Sequence, residues 1–261
     1  MGKIDDIQAY KEWTEYHRSL KRDKAADNLS PVERKKKLEK LEANVIEWIL
    51  FFFSEFAKYP FTKFHKKAIK RITTNMEWYE VLSWSRELAK STIVFMCMMY
   101  LVLTGKKKNV LLISNSHENA VRLLEPYKKA FESNSMLKAY YGDLREFGSW
   151  TADEFTLTTG ATFRAIGALE SPRGTRKDAV RPDTALVDDF DTDADCRNPD
   201  ILKKKWEWFE EALFPTRSIS EDLLVIFCGN LIALDCCVKR AGDKADHWDC
   251  LLYTSDAADD T

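Results

Sequence analysis

Hydrolysis of a nucleoside triphosphate needs a lysine against phosphate charge, a hydroxyl and an acid to hold Mg²⁺, and a carboxylate to orient water. This chain offers those groups in two stretches. The first is Ser85-Arg86-Glu87-Leu88-Ala89-Lys90-Ser91-Thr92, set between a short apolar run over residues 79–84 and eleven almost wholly apolar residues, 93–103. Strand, phosphate-sized loop and buried helix is the layout of a P-loop, where loop amides, a lysine and a hydroxyl meet the β- and γ-phosphates. Lys90 and Ser91 are the candidates for the lysine and the hydroxyl. The glycines of the general pattern are missing, because Trp84 and Ala89 occupy their places. The second stretch is Asp188-Asp189, directly after the apolar triplet Ala185-Leu186-Val187. Asp188 is the candidate metal acid and Asp189 the candidate for orienting water, with Asp191 nearby as a substitute. An acidic solvated loop is the bland alternative for this stretch; the strand immediately before it argues for a site.

The elements around these residues read as alternating strands and helices. After the loop helix, residues 110–114 form a second apolar strand candidate, and residues 117–133 carry apolar positions at helical spacing. Residues 154–159 and 162–167, split at Gly160, read as a hairpin or a pair of short strands, and 140–153 as loop. Residues 198–214 read as an amphipathic helix, 223–228 as a last clear strand ending at Gly229-Asn230, and 232–240 as helix. Such a β-loop-α-β-α run predicts an α/β fold with a mostly parallel sheet covered by helices. In open sheets of this kind the carboxyl ends of strands gather on one edge, so Ser91 and Asp188 are expected to converge there.

Upstream, Ser30-Pro31 with Glu33 marks a helix start, and one helix is expected over 31–56, followed by a shorter one over 61–73. The aromatic run 48–56 is too apolar for water and is expected to pack on the main domain or on a partner. The helix over 198–214 is a candidate contact between subunits. The expected domains are a helical region over 1–60 and an ATPase domain over 61–249. Residues 250–261, CLLYTSDAADDT, read as a tail foreign to the fold, with the native sequence ending near 249.

Composition narrows the rest. The chain has 261 residues and a formal net charge of -2, from 40 Lys+Arg against 42 Asp+Glu, which excludes a uniformly basic nucleic-acid coat. Six cysteines without CxxC pairs and four scattered histidines argue against a disulfide scaffold or a zinc site. The charged first forty residues hold no cleavable signal, and the run 93–103 is too short to span a bilayer. A protein of the cell interior, neither secreted nor in a membrane, is expected.

The ordered set SRELAKST, VLLISNS, SPRGTRKDAVRPDTALVDD and VIFCGN resembles the ATPase domain of the large terminase subunit of tailed double-stranded DNA phages. The resemblance covers about residues 61–240. It implies an ATP-hydrolysing motor, with ATP and Mg²⁺, that drives viral DNA into the prohead. Its degenerate P-loop matches Ser85, Arg86, Lys90, Ser91 and Thr92, its Walker B acids match Asp188 and Asp189, and its coupling motif matches Gly229-Asn230. By the same resemblance Arg86 acts in cis on the phosphates, and adenine lies around Phe64 and His65. A neighbouring subunit in a ring supplies a trans arginine, for which Arg145, Arg173 and Arg176 are candidates, the last two equally candidates for DNA contact. Double-stranded DNA, the portal protein, the small terminase subunit and further copies of the chain on the portal are the implied partners, in the host cytoplasm. Two departures stand out: Ala89 in place of the glycine before the lysine, and Asp189 in place of the usual glutamate. The nuclease domain of the family is expected to be absent. A helicase-like P-loop ATPase and an inactive P-loop structural protein are the alternative readings.

Overall fold

The computed structural model describes residues 29–57, 59–85, 87–171, 181–216 and 222–251. Its centre is one eight-stranded sheet in the order β3-β4-β5-β2-β6-β7-β1-β8. The strands are β1 (Trp78–Trp84), β2 (Asn109–Ser114), β3 (Arg145–Trp150), β4 (Glu154–Leu157), β5 (Thr162–Gly167), β6 (Thr184–Asp188), β7 (Leu224–Cys228) and β8 (His247–Leu251). Pairings are parallel from β5 through β8, while β3-β4 and β4-β5 are antiparallel. The expected α/β fold with a mostly parallel sheet is found. The strand pattern explains why both faces are covered. In β2, β6 and β7 every residue is buried, and their side chains alternate between two cores. Val110, Leu112, Leu186, Leu224 and Ile226 enter one core; Leu111, Ile113, Ala185, Val187, Val225 and Phe227 enter the other.

The first core is closed by α1 (Pro31–Glu42), α2 (Val45–Phe52), α3 (Lys63–Thr74), α4 (Lys90–Leu103), α5 (His117–Ser133) and α6 (Ser135–Tyr141). Helix α4 is apolar all round and buried from Ile93 to Val102, as expected of a helix with protein on every side. The aromatic run packs within the chain: Trp48 meets Tyr100 of α4 edge-on at 5.3 Å and donates its indole N–H to Tyr141. The second core is closed by α7 (Asp193–Cys196), α8 (Pro199–Glu207), a π-helical turn over Trp208–Leu213 and α9 (Cys237–Gly242).

Several expectations are corrected. The helix expected over 31–56 is two helices, because Asn44 caps a new start by accepting from Ile46 N and Glu47 N. Its start at Ser30 with the Glu33 capping box is found. Residues 145–150, expected as loop, form the outer strand β3, whose largely exposed residues and bulge hide its alternation. Residues 229–236 are loop, and the helix expected from 232 begins at Cys237. The amphipathic helix expected over 198–214 is α8 followed by the π turn. Its apolar face, Leu202, Trp206, Phe209 and Leu213, is buried against the sheet of its own chain, so that face is not open to a neighbour. Strand β8 was not expected. It runs through Cys250 and Leu251, so the boundary expected between 249 and 250 falls inside a strand.

Arg71 of α3 fastens β8 to β1. Its guanidinium holds Glu80 of β1 through Nε and Nη2 at 2.7–3.1 Å and Asp249 of β8 at 2.8 Å, and Trp78 donates to the same glutamate at 2.7 Å. Glu80, His247 and Asp249 stand close enough to share a metal ion. The lone pairs of Glu80 are already taken by the guanidinium and the indole, which makes the cluster an ion-paired lock.

Candidate functional site

The loop between β1 and α4 is held from both sides. Ser85 donates both its amide and its hydroxyl to the Leu251 carbonyl of β8, each at 2.9 Å. On the other side His65 of α3 meets the Leu88 carbonyl at 3.0 Å. Between these anchors the backbone is strained. Glu87 has φ 73° and Ala89 φ 57° in the left-handed region, where a Cβ costs about 1–2 kcal/mol. Ala89 therefore adopts the conformation for which the general pattern uses glycine, and it pays no cap in return: α4 starts with no side-chain hydrogen bond to its first turn. Uncapped amides at the start of a long buried helix suit an anion.

The acidic stretch arrives on the same edge. Asp188 ends β6, and its Oδ2 accepts the Ser91 hydroxyl at 2.7 Å, so the expected convergence of Ser91 and Asp188 is found. The Asp189 amide donates to Asp188 Oδ1 at 3.1 Å, with Asp189 at φ 46°. Burial pushes the Asp188 carboxyl up to about 6; the adjacent Asp189 charge adds to the rise, while Ser91 and Lys90 oppose it. Asp189 itself is exposed.

Strand β7 lies between β6 and β1 and brings in Gly229 and Asn230. Gly229 donates to the Leu82 carbonyl at 3.2 Å, and a Cβ there would sit 2.9 Å from Val238. The Lys90 ammonium donates to Asn230 Oδ1 at 3.5 Å. Lys90, Ser91, Asp188, Asp189 and Asn230 line a cleft of about 380 Å³ with Trp84 and the loop. Asp189 and Asn230 also line an adjoining depression of about 300 Å³. Three of the four non-glycine residues with positive φ among the described residues are Glu87, Ala89 and Asp189, so the strain concentrates at this cleft. A larger open groove of about 1600 Å³ runs between residues 52–56 and α5, away from these groups.

The remaining site candidates fall elsewhere. Arg86, Arg173 and Arg176 lie outside the described residues. Arg145 sits on β3, at the opposite end of the sheet from β8, in a bidentate pair with Asp143. Asp191 lines the depression, but its Oδ2 accepts from Val238 N at 3.0 Å and so caps α9. Its Oδ1 is buried without a partner among the described residues. Sequence reasoning missed the His65–Leu88 bond. The available signal was Thr62-x-x-His65 at a helix start, a capping box with histidine in the place usually held by glutamate or glutamine.

The donors suit a magnesium triphosphate. Ser91 Oγ and the Asp188 carboxylate are hard oxygen ligands of the kind Mg²⁺ takes alongside waters and phosphate oxygens. The buried indole N–H of Trp84, which borders the cleft, has no acceptor among the described residues.

No protein-family profile matches this chain, and no curated protein matches it. Among solved structures, the crystal structure of the HK97 bacteriophage large terminase superposes with a TM-score of 0.54 at 14% identity, over 82% of this chain and 44% of that one. The Thermus phage P74-26 large terminase ATPase domain superposes with a TM-score of 0.42 at 16% identity, over 68% of this chain and 67% of that one. The first of these shares the α/β fold described above over the matched part of its length. The chain spans less than half the length of the HK97 protein.

Proposed function

We propose that this chain is a Mg²⁺-dependent ATPase of the large-terminase kind. The observation that carries the reading is the 2.7 Å bond from Ser91, one residue into α4, to Asp188 at the end of β6, beside Lys90 and behind a strained loop. These groups are the hydroxyl, acid and lysine of phosphoryl transfer, drawn from segments nearly a hundred residues apart.

In this reading Lys90 and the first amides of α4 bind the β- and γ-phosphate oxygens, and Lys90 leaves Asn230 to do so. Ser91 and Asp188 would hold Mg²⁺, which supplies neutralisation of charge on those oxygens. Asp188 serves in its ionised form, which the nearby cations favour and burial opposes. Asp189, exposed on the cleft and one residue beyond the metal acid, holds the attacking water in line and takes up its proton. Asn230, at the end of the strand between the two halves of the site, exchanges the Lys90 ammonium for solvent or phosphate as the nucleotide changes. That exchange gives β7 a means to sense the γ-phosphate. The finer reading, translocation of double-stranded DNA into a prohead by a ring of such subunits on a portal with a small terminase subunit, rests on the sequence resemblance and the shared fold.

The test is release of phosphate from ATP. Lys90→Ala should lower turnover at least about a hundredfold, as loss of a preorganised charge contact does, with the circular dichroism spectrum unchanged. Asp189→Asn should keep Mg²⁺-ATP binding and stop turnover. Full turnover in Asp189→Asn together with loss in Asp191→Asn would move the water-orienting role to Asp191. Unchanged hydrolysis in Lys90→Ala would overturn the reading.

A further inference from the structure

We propose that His65 is a positioning residue for the nucleotide loop: it fixes the Leu88–Ala89 peptide so that the Ala89 amide faces the cleft. The inference rests on the ATPase reading only for the identity of what that amide binds.

The ring's two nitrogens have settled roles. Nδ1 lies 3.3 Å from the Thr62 backbone N–H, which can only donate, so Nδ1 is the acceptor. Nε2 therefore carries the proton and donates to the Leu88 carbonyl at 3.0 Å. One neutral tautomer joins the capping box of α3 to the loop. In a trans peptide the C=O and the following N–H point in opposite directions, and no peptide among the described residues is cis. With the Leu88 oxygen turned to His65, the Ala89 N–H is turned away from it, on a loop whose Glu87, Ala89 and Lys90 all line the cleft while Leu88 does not.

The bond also answers the question of strain. Leu88 lies between two left-handed residues, Glu87 and Ala89, neither of them glycine. Such backbone persists only where its surroundings over-determine it. The Ser85–Leu251 bonds fix the start of the loop and α4 fixes its end. The Leu88 carbonyl, in the middle, has the imidazole. The ring is itself immobilised, with centroids 4.1 Å from Phe64 and 5.5 Å from Trp84.

Two substitutions separate this role from general packing. His65→Gln keeps an acceptor for Thr62 and a donor for Leu88 at comparable separation. His65→Glu keeps the capping box in its commonest form but sets a carboxylate against the carbonyl. Hydrogen exchange without nucleotide is the first readout. His65→Glu should leave α3 as protected as in the parent and speed exchange at the start of α4, including the Ile93 amide bonded to Ala89 O; His65→Gln should match the parent. Calorimetric titration with Mg²⁺-ATP is the second. His65→Glu should bind about tenfold more weakly and His65→Gln within about twofold, the scale expected of one hydrogen bond. Parent-like exchange and affinity in His65→Glu would overturn the inference, and so would equal damage in both variants, which would assign the effect to ring packing. If the parent binds no Mg²⁺-ATP while Lys90→Ala is equally inert, the ATPase reading falls, and the exchange comparison still decides whether His65 holds the loop.

Discussion

Ala89 shows what one methyl group does at a position built for none. Held at φ 57°, it carries a penalty that glycine would not. Ala89→Gly should therefore stabilise the protein by about 0.5–1 kcal/mol, the relief of strain exceeding glycine's greater freedom when unfolded. A higher urea midpoint at unchanged slope is the expected result. His65 gives the residue scale its pH dependence. Burial holds the imidazole below its ordinary pKa, and the bond to Leu88 only partly offsets this. Lys66 and Lys67 on its own helix, and Glu87 on the loop, stand in solvent. A histidine whose folded pKa is depressed contributes stability that is present above the unfolded value near 6.5 and lost as pH falls through the folded one. Between pH 7.5 and 5.5 the parent should lose stability relative to His65→Gln, which has no proton to gain there. Denaturant titrations of the two proteins across that range measure the difference.

At the scale of elements, Arg71 ties a helix to two strands with one side chain. It neutralises Glu80, which is fully buried, and reaches β8 with the same guanidinium. Arg71→Leu should cost about 3–5 kcal/mol, because it leaves a buried carboxylate without its partner. The additional substitution Glu80→Gln should recover part of that loss. These contacts also explain what the sequence disclosed and what it hid. Strands β1, β2, β6 and β7 were legible because central parallel strands are apolar on both faces. The convergence of Ser91 with Asp188 was legible because both sit at the carboxyl edge where such strands end. His247–Leu251 and Arg145–Trp150 were not, since outer strands mix polar and apolar residues and depend on neighbours far away in sequence: β8 on Arg71 and β1, β3 on the β4 hairpin. The break at Asn44 was hidden by two good helical patterns in succession. It needed the cap itself to be weighed as a start signal.

For the molecule as a whole, the aromatic helix α2 shares one core with the loop helix. Trp48, Phe52 and Phe53 pack with Tyr100 and Phe95 of α4 in the same cluster that holds Leu82 and Trp84 of β1. The helical region expected over 1–60 is thus continuous, from residue 45 onward, with the body expected over 61–249. Trp48→Ala should cost about 3–5 kcal/mol through the cavity it leaves, together with the indole bond to Tyr141, whose hydroxyl keeps Glu42 as its acceptor. Tryptophan fluorescence and far-UV circular dichroism should still report one shared unfolding transition, since α2 and the sheet share one core among the described residues. Two resolved transitions would show that α2 folds apart from the sheet.

The two bonds from Ser85 to Leu251 have a consequence in time. A ribosome makes the nucleotide loop well before it makes β8, and at about 5–20 residues per second the interval between residues 92 and 251 is roughly 10–30 s. Throughout that interval Ser85 lacks the carbonyl that anchors it. Until β8 is made and docks beside β1, the loop between β1 and α4 should thus lack one of its two anchors, and on the proposed function the newborn chain should not yet grip nucleotide.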